Sequence, residues 1–205
     1  MKNLLLTLTI IAFVILFNFS FLVFNQDFYY KEFEKLKIYE KFSQEEINQN
    51  TQELIDYLKN DQPLETGFFN EKEKLHLQDI KSLIDRTLFI FFLTIIVLVI
   101  LLIINRKNLA KPFLFSGLGL ISLVLLFSII NFQNLFFNFH LIAFDNNLWQ
   151  LDPATDNLIS LFSEQFFYDF FRKMLINSLV IGIMLVTVSF LSIKNRQTFK
   201  KAIIK

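Results

Sequence analysis

Four runs of this chain carry no charged residue and are long enough to cross a bilayer. Leu4–Phe24 has 21 residues, Leu88–Ile104 has 17, Pro112–Ile130 has 19 and Met174–Ile193 has 20. A spanning helix needs about 20 apolar residues, within a range of roughly 17–25. The expected fold is therefore an all-α integral membrane protein. Four transmembrane helices carry a mostly helical extracytoplasmic cap, made of residues 25–87 and 131–173, and the whole of 1–205 forms a single membrane domain. Composition agrees, since 19% of residues are charged, where a soluble domain has about 25%. Uncharged polar residues inside the runs, such as Asn18 and Asn177, are tolerated where neighbouring helices meet them.

The first run follows Met1-Lys2, as a signal peptide would. It is long for such a segment, and NFSFLVFN at its end offers no small-residue cleavage site, so a retained helix is expected. Basic residues favour the cytoplasmic side. Lys2 precedes the first run. Arg106, Lys107 and Lys111 lie between the second and third, and Lys194, Arg196, Lys200, Lys201 and Lys205 follow the fourth. Neither of these two basic segments contains an acid. Of the 19 acidic residues, 14 fall in 25–87 and 5 in 131–173. Both termini are accordingly expected in the cytoplasm of a multi-pass cell-membrane protein, with the cap outside.

The first outward segment reads as helical pieces. Ser43-Gln44-Glu45-Glu46 has the form of a capping box, and the helix it opens ends near Asn60. Gln62-Pro63 and Gly67 mark a turn region. Asn70-Glu71-Lys72-Glu73 is a second capped start, with no breaker from there into the second run. His76 lies on that helix, roughly 16–18 Å before Leu88 at 1.5 Å per residue. Asp79 shares its face three residues on. In the second outward segment, Trp149 and several phenylalanines suit a membrane interface. Asp156 is expected to cap a short helix. Phe166, Phe167, Phe170 and Phe171 repeat at helical spacing, as a face lying flat on the membrane would.

Several functions lose support. A net charge of +1 with no basic groove pattern gives no reason to expect nucleic acid as a partner. The absence of cysteine removes disulfides, a thiol nucleophile and soft metal ligation. No G-x-S-x-G is present for a serine hydrolase. No spacing presents two histidines on one helix, so no metal site is assigned. The acidic excess of the cap, mixed with Lys31, Lys35, Lys37 and Lys41, reads as a solvated face. Taken singly, His76 and His140 read as a surface and an interfacial residue. Both nevertheless fall in outward segments near the membrane boundary. They are the chain's only histidines, the side chains whose ordinary pKa suits proton transfer at neutral pH.

Two stretches carry a resemblance. FFNEKEKLHLQDIKSLIDR (68–86) looks like an E-x-x-H-x-x-D-(Ile/Val) motif entering a membrane helix, with Glu73, His76, Asp79 and Ile80 in its places. The other, FHLIAFDNNLWQLDPATDNLISLFSEQFFYD (139–169), is longer and more specific. With four spans and an outward cap, the whole chain resembles the bacterial lipoprotein intramolecular transacylase family. One departure is Ser163, where the family often has proline; it bears on a helix start. The resemblance implies transfer of the sn-2 acyl chain of a diacylglyceryl lipoprotein to the α-amino group of its N-terminal cysteine, giving a lyso-form lipoprotein. It also implies that His76 and His140 are catalytic at the cap–membrane interface.

An ester-to-amide transfer needs no cofactor, and its nucleophile belongs to the substrate, so the missing cysteine is no obstacle. Membrane lipid is the other expected partner. Asp79 is the candidate to orient His76. Asn146, Asn147 and the Trp149 indole are candidate oxyanion donors, and Phe136, Phe137, Phe139 and Phe144 are candidate walls of the substrate pocket. The sequence leaves open which histidine is base and which is acid. Two other readings stay open: a non-enzymatic membrane protein whose acidic cap binds a partner, and a metal-dependent lipid hydrolase.

Overall fold

The computed structural model of the chain describes residues 2–60 and 62–203, with side chains described as far as Lys194. Of the residues used above for orientation, Lys205 and the side chains of Arg196, Lys200 and Lys201 lie outside the described residues. The described chain is helical: α1 (Lys2–Val23), α2 (Gln26–Lys35), α3 (Gln44–Lys59), α4 (Glu71–Asn105), α5 (Ala110–Ser128), α6 (Phe132–Ala143), α7 (Asn157–Leu161) and α8 (Glu164–Ile203), with a 3-10 turn at Ile38–Glu40. Contacts divide it into two units. One comprises residues up to Phe19, Leu88–Ile130 and those from Lys173. The other comprises Ser20–Thr87 and Asn131–Arg172.

The first unit holds the apolar parts of α1, α4, α5 and α8, all four long and apolar enough to cross a membrane. A helix satisfies its own backbone, as hydrocarbon requires. Leu6, Ile10, Val14, Leu101 and Leu120 form the buried centre, with Ile181 and Leu185 packed against it. Small residues bring the helices close. A Cβ built on Gly117 would lie 2.6 Å from the Gly182 carbonyl oxygen, so α5 and α8 touch through their backbones. Polar side chains are satisfied within the unit. Asn18 Nδ2 donates to Val14 O at 2.9 Å and to Ser178 Oγ at 3.4 Å. Ser116 Oγ donates to Pro112 O at 2.7 Å and to Thr7 O at 3.2 Å. The apolar run of α4 contributes Leu101 to this centre and leaves Phe89, Phe92 and Ile103 exposed, as a lipid-facing helix does.

The second unit is built on aromatic packing. Ser43 Oγ accepts from Glu46 N at 3.2 Å and opens α3, which buries Ile47, Leu54, Ile55 and Leu58. Asn25 caps α2, whose Phe28, Tyr29 and Phe33 interlock with Phe162 and Phe166 at centroid distances of 5.4–6.0 Å. Here the structure corrects one expectation. The start of α8 is not a face lying flat on a membrane, because Phe166 is 2% exposed inside this cluster and Phe167 stacks near Phe136 at 5.1 Å. The same helical spacing serves core packing when a second aromatic helix faces it. Lys35 pairs with the buried Asp169 at 2.6 Å beside the cluster. Ser163 Oγ accepts from Phe166 N at 3.4 Å, so it fills the role of helix cap where proline often stands.

Candidate active site

Two helices of the second unit bring the histidines together. The start of α4 is a reciprocal capping box. Asn70 Oδ1 accepts from Glu73 N at 3.0 Å, and Glu73 Oε2 accepts from Asn70 N at 2.6 Å. His76 follows one turn later on the buried side, 4% exposed. Asn131 caps α6, accepting from Asn134 N at 3.0 Å. That helix carries Phe136, Phe137, Phe139 and His140, and closes at Phe144, whose N–H donates to His140 O at 3.1 Å. The two imidazole centroids lie 6.3 Å apart, although 64 residues separate them in sequence.

Aromatic rings surround the pair. Phe136 meets His140 edge-on at 4.4 Å, Phe139 at 5.5 Å, and Trp149 lies tilted against it at 5.0 Å. Phe144 touches both histidines, at 5.0 Å from His76 and 5.6 Å from His140. Three of the four phenylalanines expected to line a pocket therefore contact a histidine ring. Phe137 packs instead on Trp149 at 5.6 Å. Two clefts among the described residues lie elsewhere. One of about 630 Å³ borders Asn3 and residues 103–108, and one of about 520 Å³ borders Ser43, Gln49 and Thr66.

Electrostatics keeps both imidazoles neutral at neutral pH. Burial is the largest cause for each, because a low-dielectric surrounding disfavours the charged form. It pulls His76 down to about 4, helped by the nearby His140 and Lys72 and opposed by Asp79. His140 is also lowered by burial, while its bond to the Phe136 carbonyl works the other way. That bond fixes a tautomer. His140 Nδ1 lies 2.8 Å from Phe136 O. A carbonyl only accepts, so Nδ1 carries the proton and Nε2 of the neutral ring holds a lone pair.

The expected orienting partner is displaced. Asp79 does not hydrogen-bond His76; its Oδ2 accepts from Asn146 Nδ2 at 2.9 Å. His76 Nδ1 is buried with no hydrogen-bond partner among the described residues. Asn146 is thereby engaged twice, since its Oδ1 also accepts from Leu148 N at 2.9 Å. Asn147 is exposed within the same turn. Asp156 likewise does not cap α7 through its side chain. It accepts from Asp152 N at 2.7 Å and Asn70 Nδ2 at 2.8 Å. The buried Glu73 takes the capping role, accepting from Leu158 N. The capped start at Asn70–Glu73 was legible in the sequence, whereas the bond from Glu73 to α7 was not. The available signal was a carboxylate one turn before a histidine at a helix start.

With this geometry in place, the comparisons decide the family. A family model described as lipoprotein intramolecular transacylase Lit matches residues 4–167. The chain belongs to the Lit family. A solved structure of the membrane integral lipoprotein intramolecular transacylase Lit from Bacillus cereus superposes with a TM-score of 0.88 at 24% identity, covering 96% of each chain. Two more structures of that protein bear a histidine-to-arginine and a histidine-to-alanine mutation. They match with TM-scores of 0.79 and 0.80 at 24% identity, covering 96% of this chain and 92% and 94% of theirs. These likenesses show a shared membrane-protein fold. No curated protein gives a significant match to this Lit family member.

Proposed function

We propose that this Lit family member moves the sn-2 acyl chain of a diacylglyceryl lipoprotein onto the α-amino group of that lipoprotein's N-terminal cysteine. The carrying observation is the pair of imidazoles 6.3 Å apart within one aromatic surround. Family membership supports the substrate class.

The reaction balances without a cofactor. A C–N bond forms between the amine and the ester carbonyl carbon, the C–O bond to glycerol breaks, and one proton passes from nitrogen to oxygen. An α-amine has a pKa of about 7.7–8.0, so a fair fraction is neutral at pH 7. His140 is the base: its Nδ1–H is committed to Phe136 O, leaving Nε2 to accept. His76 is the acid. Neutral at rest, it takes over the proton that His140 removes and, with its pKa lowered to about 4 by burial, releases that proton to the departing glyceryl oxygen. The mutual repulsion of the two imidazoles also means that the pair holds one extra proton at a time.

Confinement supplies much of the remaining barrier reduction. Holding amine and ester in a reactive arrangement is worth about 7–11 kcal/mol in well-oriented cases. Phe136, Phe139, Phe144 and Trp149 form an apolar wall that restricts the flexible glyceryl and acyl groups and limits hydrolysis. Asn146 is tied to Asp79, and Asn147 and the Trp149 indole remain the candidate oxyanion donors. The charge pattern favours both termini in the cytoplasm and residues 25–87 and 131–173 outside, where lipid-anchored substrate resides.

The test is expression in a host lacking N-acylating activity, followed by mass spectrometry of N-terminal lipopeptides. The chain is expected to yield lyso-form lipoprotein, and His76→Ala and His140→Ala each to abolish it. Conversion at the normal rate by both folded variants would sink the reading.

A further inference from the structure

Glu73 is a carboxylate 1% exposed, with no cation paired to it among the described residues. Burying such a group is costly unless its oxygens are hydrogen-bonded. Both are, and to backbone amides of two separate segments. Oε2 accepts from Asn70 N at the start of its own helix, and Oε1 accepts from Leu158 N, 85 residues away at the start of α7.

Other bonds follow the same seam. Asn70 Nδ2 donates to Asp156 Oδ1 at 2.8 Å, Lys72 Nζ to Gln150 O at 2.6 Å and Asn157 Nδ2 to Phe68 O at 2.7 Å. The segment they hold begins immediately after Trp149. On its other side, Asp79 holds Asn146. Trp149 therefore hangs between two attachments to α4, one on each side of His76 in sequence. Its ring rests 5.0 Å from His140.

We propose that Glu73 is a positioning residue for the reaction: its two carboxylate oxygens register the 144–158 segment against α4, and so hold Trp149 on His140. This rests on the transacylase reading above. The chemistry asks for a carboxylate here. Glutamine has the same length but one acceptor oxygen, and its amide would turn N–H groups toward one of the two backbone donors. The effect is therefore graded, with Glu73→Gln milder than Glu73→Ala.

The test uses the full chain in lipid nanodiscs, and Trp149 is the chain's sole tryptophan. Protonated imidazole quenches an adjacent indole, so Trp149 emission against pH reports the protonation of His140. His76, Lys72 and Asp79 are the other titratable groups of the surround. The unsubstituted protein should show a quenching midpoint below 6.5. Glu73→Ala should red-shift the emission, raise the midpoint or abolish the quench, and slow acyl transfer by roughly a hundredfold, as small misplacements of reacting groups do. Glu73→Gln should fall between. Should Glu73→Ala fail to fold, by circular dichroism, Glu73→Gln carries the comparison. A Trp149 emission and midpoint unchanged in the folded variants would overturn the proposal, as would unchanged transfer rates. The emission readout does not depend on turnover. Failure of the transacylase reading would show separately, as normal transfer by the histidine variants.

Discussion

His140 is held in one tautomer by an acceptor that has no proton to exchange, and His76 is held neutral by its surroundings alone. The difference has a stability consequence. His76 has an ordinary pKa of 6.5 in the unfolded chain and about 4 in the folded one. Between those values the unfolded state binds more protons, so folding stability falls as pH drops from 6.5 toward 4. The shift corresponds to roughly 3 kcal/mol at its full extent. Thermal unfolding in detergent should show a Tm that declines across this window, and His76→Gln should flatten the decline. A flat profile in the unsubstituted protein would contradict the burial of His76. On the proposed mechanism the rate should fall as pH drops below 6.5, because protonated His140 has no lone pair to accept the amine's proton.

At the scale of elements, the aromatic face of α8 is the informative case. Its repeat at three and four residues is the same for a helix resting on lipid and for one packed in a core. Only the partner decides, and α2 supplies it through Phe28, Tyr29 and Phe33. Phe166→Ala should destabilise the protein by about 3–5 kcal/mol, as truncating a buried phenylalanine does, while a substitution at the exposed Tyr168 should cost far less. The Tm difference between the two variants checks this. The four apolar runs and the starts of α3 and α4 were readable, since length and capping are local properties of the sequence. Asp79 with Asn146, and Glu73 with Leu158, were not, because those pairs lie 67 and 85 residues apart and no local pattern encodes them. The two histidines escaped that limit only through the resemblance of the motifs that carry them.

At the scale of the whole molecule, two properties can be tested directly. Gly117 meets the Gly182 carbonyl where a side chain would have to stand, and the obstacle is backbone. Gly117→Ala should lower stability by about 1–3 kcal/mol, the usual cost of overpacking, read as a lower Tm in detergent; an unchanged Tm would mean the helices separate freely. Orientation is accessible because the chain has no cysteine of its own. Glu45→Cys should react with an impermeant maleimide added to intact cells, and Asn108→Cys only after the membrane is opened. The reverse pattern would invert the proposed topology.

Phe144 touches both imidazoles, yet no hydrogen bond joins those rings among the described residues. The protein by itself thus supplies two terminals and an insulating ring at their side, with the conductor left to the substrate. On the proposed reaction, only a molecule that brings an amine to one terminal and an ester to the other closes the circuit. Water or a free amine engages one end and leaves the proton stranded there. On that proposal, selectivity for acyl transfer within a single molecule follows from the wiring of the site, independently of how tightly any lipid is bound.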